Sequence, residues 1–511
     1  MKLHSPFVDR RSGVLLHPTS LPGPWQAGDL SHNAYRFVEF LAAAGQSIWQ
    51  MMPLGMTHDD GSPYQCLSTH AGNTLLISLD WLVDRGWLED DIWQHAENSK
   101  QWRFETLERS CCAALDTIDD HTRKDFDRFV RGQNYWLEDY AKFIVLKKLE
   151  NGAAWKDWPV NLRRCKASAV DASLKGYEDQ LRLRKFEQYL FFRQWRELRQ
   201  FAHKHGVYLF GDLPIFVSED SADVWAHRDV FTVDEDGNGS VVAGVPPDAF
   251  TDDGQLWGNP LYDWDALKKS NFQWWTDRLR THFSLLDMVR IDHFRGLEAC
   301  WEIPASAKTA KEGQWVKAPG AELLTEIQQQ FSDMPLVAED LGIITEEVDH
   351  LRQQFSLPGM KVLQFAFDGD IHNHHLPHNH SEDMVVYTGT HDNDTTVSWY
   401  HSESENTRHQ LHAYLECGDD MPWPLIRSAM MSVAQTAVFP MQDILALGEG
   451  NRMNLPGTTE GNWQWRFDWS RVDENLAGRL HEITGRYSRL GNGEPIEELG
   501  NIWPEVDRRV A

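Results

Sequence analysis

Four carboxylic acids in this chain each stand just past a short apolar run. Asp212 follows Leu209-Phe210-Gly211, Asp292 follows Val289-Arg290-Ile291, Glu339 with Asp340 follows Leu336-Val337-Ala338, and Asp392 closes Thr388-Gly389-Thr390-His391. If the runs are parallel strands of one barrel, their ends converge and the acids share a pocket. Acids so crowded repel one another, so at least one should keep its proton near neutral pH. A protonated carboxyl beside an ionised one is what glycoside cleavage requires. Taken singly, each acid also reads as a helix N-cap or a strand-end turn residue. The Arg290–Asp292 pair alone also reads as a plain salt bridge. It is the set of four that points to a site.

Eight apolar runs of strand length alternate with helix-patterned stretches: Gly13–Leu16, Ile48–Leu54, Val207–Phe210, Met288–Ile291, Leu336–Ala338, Lys361–Phe365, Met384–Tyr387 and Ala437–Leu445. This rhythm predicts an α/β fold, a (β/α)8 TIM barrel with its active site at the C-terminal strand ends. Two intervals break it. Residues 80–206 are helical in pattern, with Trp136, Tyr140, Phe143 and Ile144 on one face and Phe191, Trp195, Leu198 and Ala202 on another, which predicts a helical subdomain inserted after the second strand. Residues 215–285 turn to Gly, Pro and Asp and predict a loop-rich lid over the barrel mouth. The barrel is thus expected from 1–79, 207–214 and 286–511.

Composition narrows the function classes. The 511 residues are 41% hydrophobic and 25% charged, as in a globular protein, and 77 acidic against 49 basic residues give a net charge of −28. That charge disfavours nucleic acid and anionic lipid and favours a neutral partner. Six cysteines without CxxC spacing suggest reduced thiols, and neither a secretory h-region nor a run of about 18 apolar residues occurs, so a soluble cytoplasmic protein is expected. No Walker or dinucleotide fingerprint is found, and no cofactor is expected. Asp234-x-Asp236-x-Asn238-Gly239 matches half a calcium loop, but Val245 stands where the bidentate Glu belongs, so a hairpin turn is predicted. The histidines from His372 to His380 could ligate a metal, yet an exposed loop is the better reading, and no metal site is expected. The 23 Trp residues are prominent; indoles stack on sugars, though most are expected to pack in the core.

Eight ordered stretches carry a family resemblance: GVLLHPTSLPGP (13–24), SPYQ (62–65), GDLPIFVSEDSADVW (211–225), GVPPDAF with GQLWGNPLYDW (244–264), VRIDHFRG (289–296), AEDLG (338–342), YTGTHDNDT (387–395) and NRMNLPGT (451–458). Together they resemble the amylomaltases, the 4-α-glucanotransferase family of the α-amylase clan, nearly end to end. The histidine cluster departs from that pattern. The resemblance implies a retaining mechanism in which Asp292 is the nucleophile, Glu339 the acid and then the base, and Asp392 a third carboxylate that binds sugar hydroxyls and steadies the charge on the ring. It implies that Arg290 keeps Asp292 ionised, and that His293 and His391 contact substrate. Tyr64 and Trp257 are implied as aromatic walls of the glucan site, with Gln255 and Asp248 on the lid. Asp212 has either a binding role or a structural hydrogen bond to the site. Packing within the lid is the plain alternative for Trp257. The implied partners are malto-oligosaccharides, glucose and α-glucans; the alternatives are an α-amylase-like hydrolase and a non-catalytic glucan-binding protein.

Overall fold

The computed structural model describes residues 7–94, 96–97, 99–247, 252–331, 333–472, 474–491 and 494–496. Eight parallel strands form the barrel: β1 (Arg11–Leu15), β2 (Ile48–Gln50), β3 (Tyr208–Pro214), β4 (Met288–Asp292), β5 (Leu336–Ala338), β6 (Gly359–Val362), β7 (Met384–Tyr387) and β8 (Thr436–Pro440). Their hydrogen-bonded order is β6-β7-β8-β1-β2-β3-β4-β5. The remaining seam, between β5 and β6, is closed by Ala338 N donating to Pro358 O (2.8 Å) and by Met360 N donating to Asp340 Oδ1 (2.6 Å). A side chain supplies there what a strand carbonyl supplies elsewhere. Gly359 permits it, since a Cβ at that position would lie 2.3 Å from Asp340 Oδ2.

Side chains alternate along each strand, and the alternation separates two cores. Tyr208, Phe210, Met288, Val337, Met360, Val385, Tyr387 and Val438 pack inside the barrel. Leu209, Leu213, Val289, Ile291, Leu336, Ala338 and Val386 face the surrounding helices. Following the same alternation toward the C-terminal ends, the inward positions turn polar: Asp212 on β3, Arg290 and Asp292 on β4, and Glu339 just past β5. Each of the eight expected runs contains or abuts a barrel strand. Four expected ranges overshoot, because Leu16, Met51, Met52, Leu54 and Leu363 stay buried after the chain has left the ladder, and because Pro440 ends β8 and the helix Met441–Ile444 follows.

Between β2 and β3 the helices Lys100–Thr117, Asp120–Gly132, Asn134–Leu149, Ala167–Leu174 and Glu178–Lys204 account for the helical periodicity. Ser99 and Asp119 cap the first two by accepting from Trp102 N and Thr122 N. Glu178–Lys204 serves both bodies. Its first half packs Phe186 and Tyr189 against Phe126 and Phe129. Its second half packs Phe201 on Tyr35 and bonds Trp195 Nε1 to Leu285 O (2.8 Å) and Arg199 to Asp287 (2.6 Å) on the barrel.

Over the barrel mouth lies a four-stranded antiparallel sheet, ordered Gln255–Leu256, Val241–Val245, Ala299–Pro304, Gln314–Lys317. Two of its strands come from beyond residue 286, where the sequence pattern assigns everything to the barrel. The antiparallel hairpin 299–317 belongs instead to the lid, its strands pairing Ala243↔Glu302 and Trp301↔Trp315. The half calcium loop is a turn in which Asp234 Oδ1 accepts from Asp236 N and Asn238 N, and Arg163 and Arg164 bind Asp236. The histidine loop is less exposed than its composition suggests. His375 is buried and accepts from Val362 N at 3.2 Å, and His380 bonds Ser432 Oγ at 2.7 Å, so two of the histidines pin the loop to the barrel.

Candidate active site

A cleft of about 990 Å³ opens at the C-terminal end of the barrel, walled by Tyr64, Asp292, Glu339 and Asp392 below, by Gln255, Trp257 and Trp315 on the lid, and by Asn454 and Trp463 opposite. The strand register sets its centre. Ile291 pairs with Ala338 across β4 and β5, so Asp292 and Glu339, each one residue further, stand side by side. Neighbouring strands are ~4.8 Å apart. The two acids therefore start from adjacent strand ends, the placement that a retaining pair of carboxyl groups ~5 Å apart calls for.

Hydrogen bonds fix each group. Arg290 Nη2 donates to Asp292 Oδ1 (2.7 Å) while Nη1 binds Asp212 Oδ2. Tyr64 Oη donates to the same Asp212 oxygen (2.7 Å). A phenol has one proton, so the 2.9 Å contact from Tyr64 Oη to His391 Nε2 is a bond that the imidazole donates. His391 in turn lies 3.3 Å from Asp392 Oδ2 and stacks on Tyr64 with ring centroids 5.3 Å apart. Glu339 is held by the main chain, Oε2 by His293 N (2.7 Å) and Oε1 by Leu341 N (2.9 Å). His293, whose N–H makes the first of these bonds, takes the left-handed backbone conformation, φ +53°.

Burial and neighbouring charge divide the acids. Burial pushes Glu339 up to about 7, opposed by Arg290 and reinforced by the charge of Asp292. Burial likewise lifts Asp292 to about 6; Arg290 pulls it down, as expected, but less strongly, while Asp212 and Asp392 push it up. Asp392 goes the other way: against its burial, His391 and Asn454 Nδ2 (2.6 Å from Oδ1) hold it below the usual carboxylate range. At neutral pH Asp292 is therefore mostly ionised, and Glu339 retains its proton in a large fraction of molecules. Burial raises Tyr64 well above its ordinary value, so it remains a neutral donor.

Of the residues singled out from the sequence, Tyr64, Gln255, Trp257, Arg290, Asp292, His293, Glu339 and Asp392 line this one cleft. Trp257 packs edge-on against His293 (5.0 Å) and donates Nε1 to Gln255 Oε1 (3.0 Å). Asp212 and His391 are buried behind the wall, reaching it through Tyr64 and Arg290. Asp248 lies outside the described residues. Sequence reasoning missed Asn454, and it missed Arg452, whose guanidinium binds Asp392 O. Both sit in the NRMNLPGT stretch, which has no periodicity or charge pattern to mark them. Trp463, tilted against Tyr64 and His391, was equally silent among 23 indoles.

Comparison with known proteins places the chain in a family. Residues 16–471 match the glycoside hydrolase 77 family model, described as 4-alpha-glucanotransferase. The chain is 45% identical to 4-alpha-glucanotransferases of Synechocystis, over 94% of this chain and 99% of that one, and of Thermus thermophilus, over 94% and 100%. It superposes on the amylomaltase of Streptococcus agalactiae, a structure in complex with acarbose, with a TM-score of 0.91 at 36% identity, covering 94% of this chain and 99% of that one. Amylomaltase of Corynebacterium glutamicum shares the fold at a TM-score of 0.74 and 17% identity, over 94% and 75%. On these grounds the chain belongs to glycoside hydrolase family 77, the family of 4-alpha-glucanotransferases.

Proposed function

We propose that this protein transfers α-1,4-glucan segments between malto-oligosaccharides, or to glucose, by two successive displacements at one anomeric carbon. The observation that carries the reading is the side-by-side placement of Asp292 and Glu339 with their proton affinities in the order the reaction needs. Asp292, ionised and oriented by Arg290, attacks the anomeric carbon of the donor. Glu339 gives its proton to the glycosidic oxygen, the C–O bond breaks, and the reducing-end segment leaves as an alcohol. The glycosyl ester on Asp292 is then attacked by the 4-hydroxyl of an acceptor, whose proton passes to Glu339. The ester breaks, an α-linkage re-forms, and both carboxyl groups return to their starting states.

Asp392, kept ionised by His391 and Asn454, supplies negative charge and hydroxyl-binding capacity beside the ring on which positive charge develops. Tyr64 and Trp257 offer aromatic faces beside the reacting bond, and Gln255 offers a lid polar group to the acceptor. The antiparallel lid over the mouth limits the entry of water, which favours a sugar hydroxyl as second nucleophile. Incubation with maltotriose tests the proposal: transfer keeps the number of reducing ends constant while the chain-length distribution spreads. Reducing ends that rise as fast as maltotriose disappears identify a hydrolase and reject it.

A further inference from the structure

Along the cleft, away from the two acids, the chain presents an aromatic surface that the reaction just described does not use. Trp315 stands on the outer edge strand of the lid sheet, lines the cleft and is 37% exposed. Large apolar side chains are usually buried, and this one is held open by construction. The Arg295 guanidinium lies against its ring, 3.8 Å from the centroid, and is itself fixed by donating Nη1 to Ile343 O at 2.9 Å. Trp301 meets it edge-on at 5.1 Å. An indole so pinned loses little freedom on binding, and Ile343, 55% exposed, extends the apolar surface along the same wall.

The position has a direction. Arg295 follows His293 by two residues and Ile343 follows Leu341 by two, and His293 and Leu341 are the residues whose main chain holds Glu339. Trp257 packs on His293 and Trp315 packs on Arg295, so the two indoles succeed one another outward from the acid. The sheet edges that carry Gln255 and Trp315 are three strand steps, or ~14 Å, apart, enough for further sugar rings beyond the one at Trp257.

We propose that Trp315, with Arg295 behind it and Ile343 beside it, forms a distal subsite on the acid's side of the cleft. There it stacks a glucose ring of long acceptors, and of the departing segment of long donors. A neutral glucan suits the place, because it meets no repulsion from a chain of net charge −28. The inference rests on the transferase reading above and deepens it.

The test is transfer from one donor to two acceptors, glucose and maltohexaose, in wild type and in Trp315→Ala and Trp315→Phe. The ratio of kcat/KM for maltohexaose to that for glucose falls roughly five-fold or more in Trp315→Ala, chiefly through KM, and is largely restored in Trp315→Phe, which keeps a flat ring. A ratio that does not move, whether neither acceptor suffers or both lose equally, overturns the subsite. If wild type transfers to neither acceptor, it is the transferase reading that fails. Maltohexaose binding to Asp292→Asn, with and without Trp315→Ala, then still decides the subsite: weaker binding in the double variant supports it, and equal binding rejects it.

Discussion

His293 donates its main-chain N–H to Glu339 Oε2 over 2.7 Å, so the residue next to Asp292 in sequence also orients the acid on the neighbouring strand. The two carboxyl groups are thereby tied together through one peptide unit. A displacement of the β4 end is therefore felt by both, at Asp292 through the chain and at Glu339 through this hydrogen bond.

Their proton affinities set a pH dependence. Attack needs Asp292 ionised, so kcat/KM falls as pH drops through about 6, and leaving-group protonation needs Glu339 neutral, so it falls as pH rises through about 7. A pH profile on maltotriose should be bell-shaped with its maximum between these limbs. As the acids face one another, the limbs are macroscopic constants of the pair. A profile flat from pH 5 to 8 contradicts the assignment.

Glu339→Gln should lower transfer from maltotriose by roughly 10²–10⁴-fold, the usual contribution of a general acid. An α-glucosyl fluoride needs no protonation to depart, so formation of the glycosyl-enzyme from it should be far less affected. Equal losses on both substrates would show that Glu339 acts otherwise.

Arg290→Lys should not be conservative. One ammonium cannot reproduce the fork that binds Asp212 with one nitrogen and Asp292 with the other. A weaker counter-charge should move the acidic limb upward and reduce kcat/KM by about 10-fold or more, and the pH profile of the variant checks both.

Asn454→Ala removes the amide that helps hold Asp392 ionised. The expected loss in kcat/KM is about 10-fold, the ~1.5 kcal/mol of a hydrogen bond to a charged group, without a comparable drop in stability. A large fall in thermal midpoint would assign Asn454 to the scaffold.

Gly359→Ala probes the barrel seam. Its Cβ would collide with Asp340 at the point where the Asp340 carboxylate closes the gap between β5 and β6. Denaturant unfolding should register a destabilisation of about 1–3 kcal/mol.

Much of this arrangement was legible before the structure. Runs such as Met288–Ile291 and Leu336–Ala338 alternate between two buried faces, and an acid after each marks the rim of the cleft, because in a barrel those ends converge. Nothing local distinguishes what lies beyond the strands. The hairpin 299–317 joins the lid because Ala299–Pro304 pairs with Val241–Val245, nearly sixty residues earlier, and pairing at that range leaves no periodic trace. Asn454 reaches Asp392 from a loop without hydrophobic rhythm, and His375 is buried by a contact to β6 that composition cannot reveal. The balance at Asp292 also depends on a three-dimensional environment: the attraction of Arg290 and the repulsion among the acids were readable from the residue types, but the burial that outweighs Arg290 was not.

The atom to which the sugar becomes attached decides the mechanism most directly. Glu339→Gln incubated with 5-fluoro-α-glucosyl fluoride should accumulate a covalent adduct, and peptide mass spectrometry should place it on Asp292. An adduct on another residue, or none from a variant that still consumes the fluoride with inversion, would contradict the double-displacement assignment.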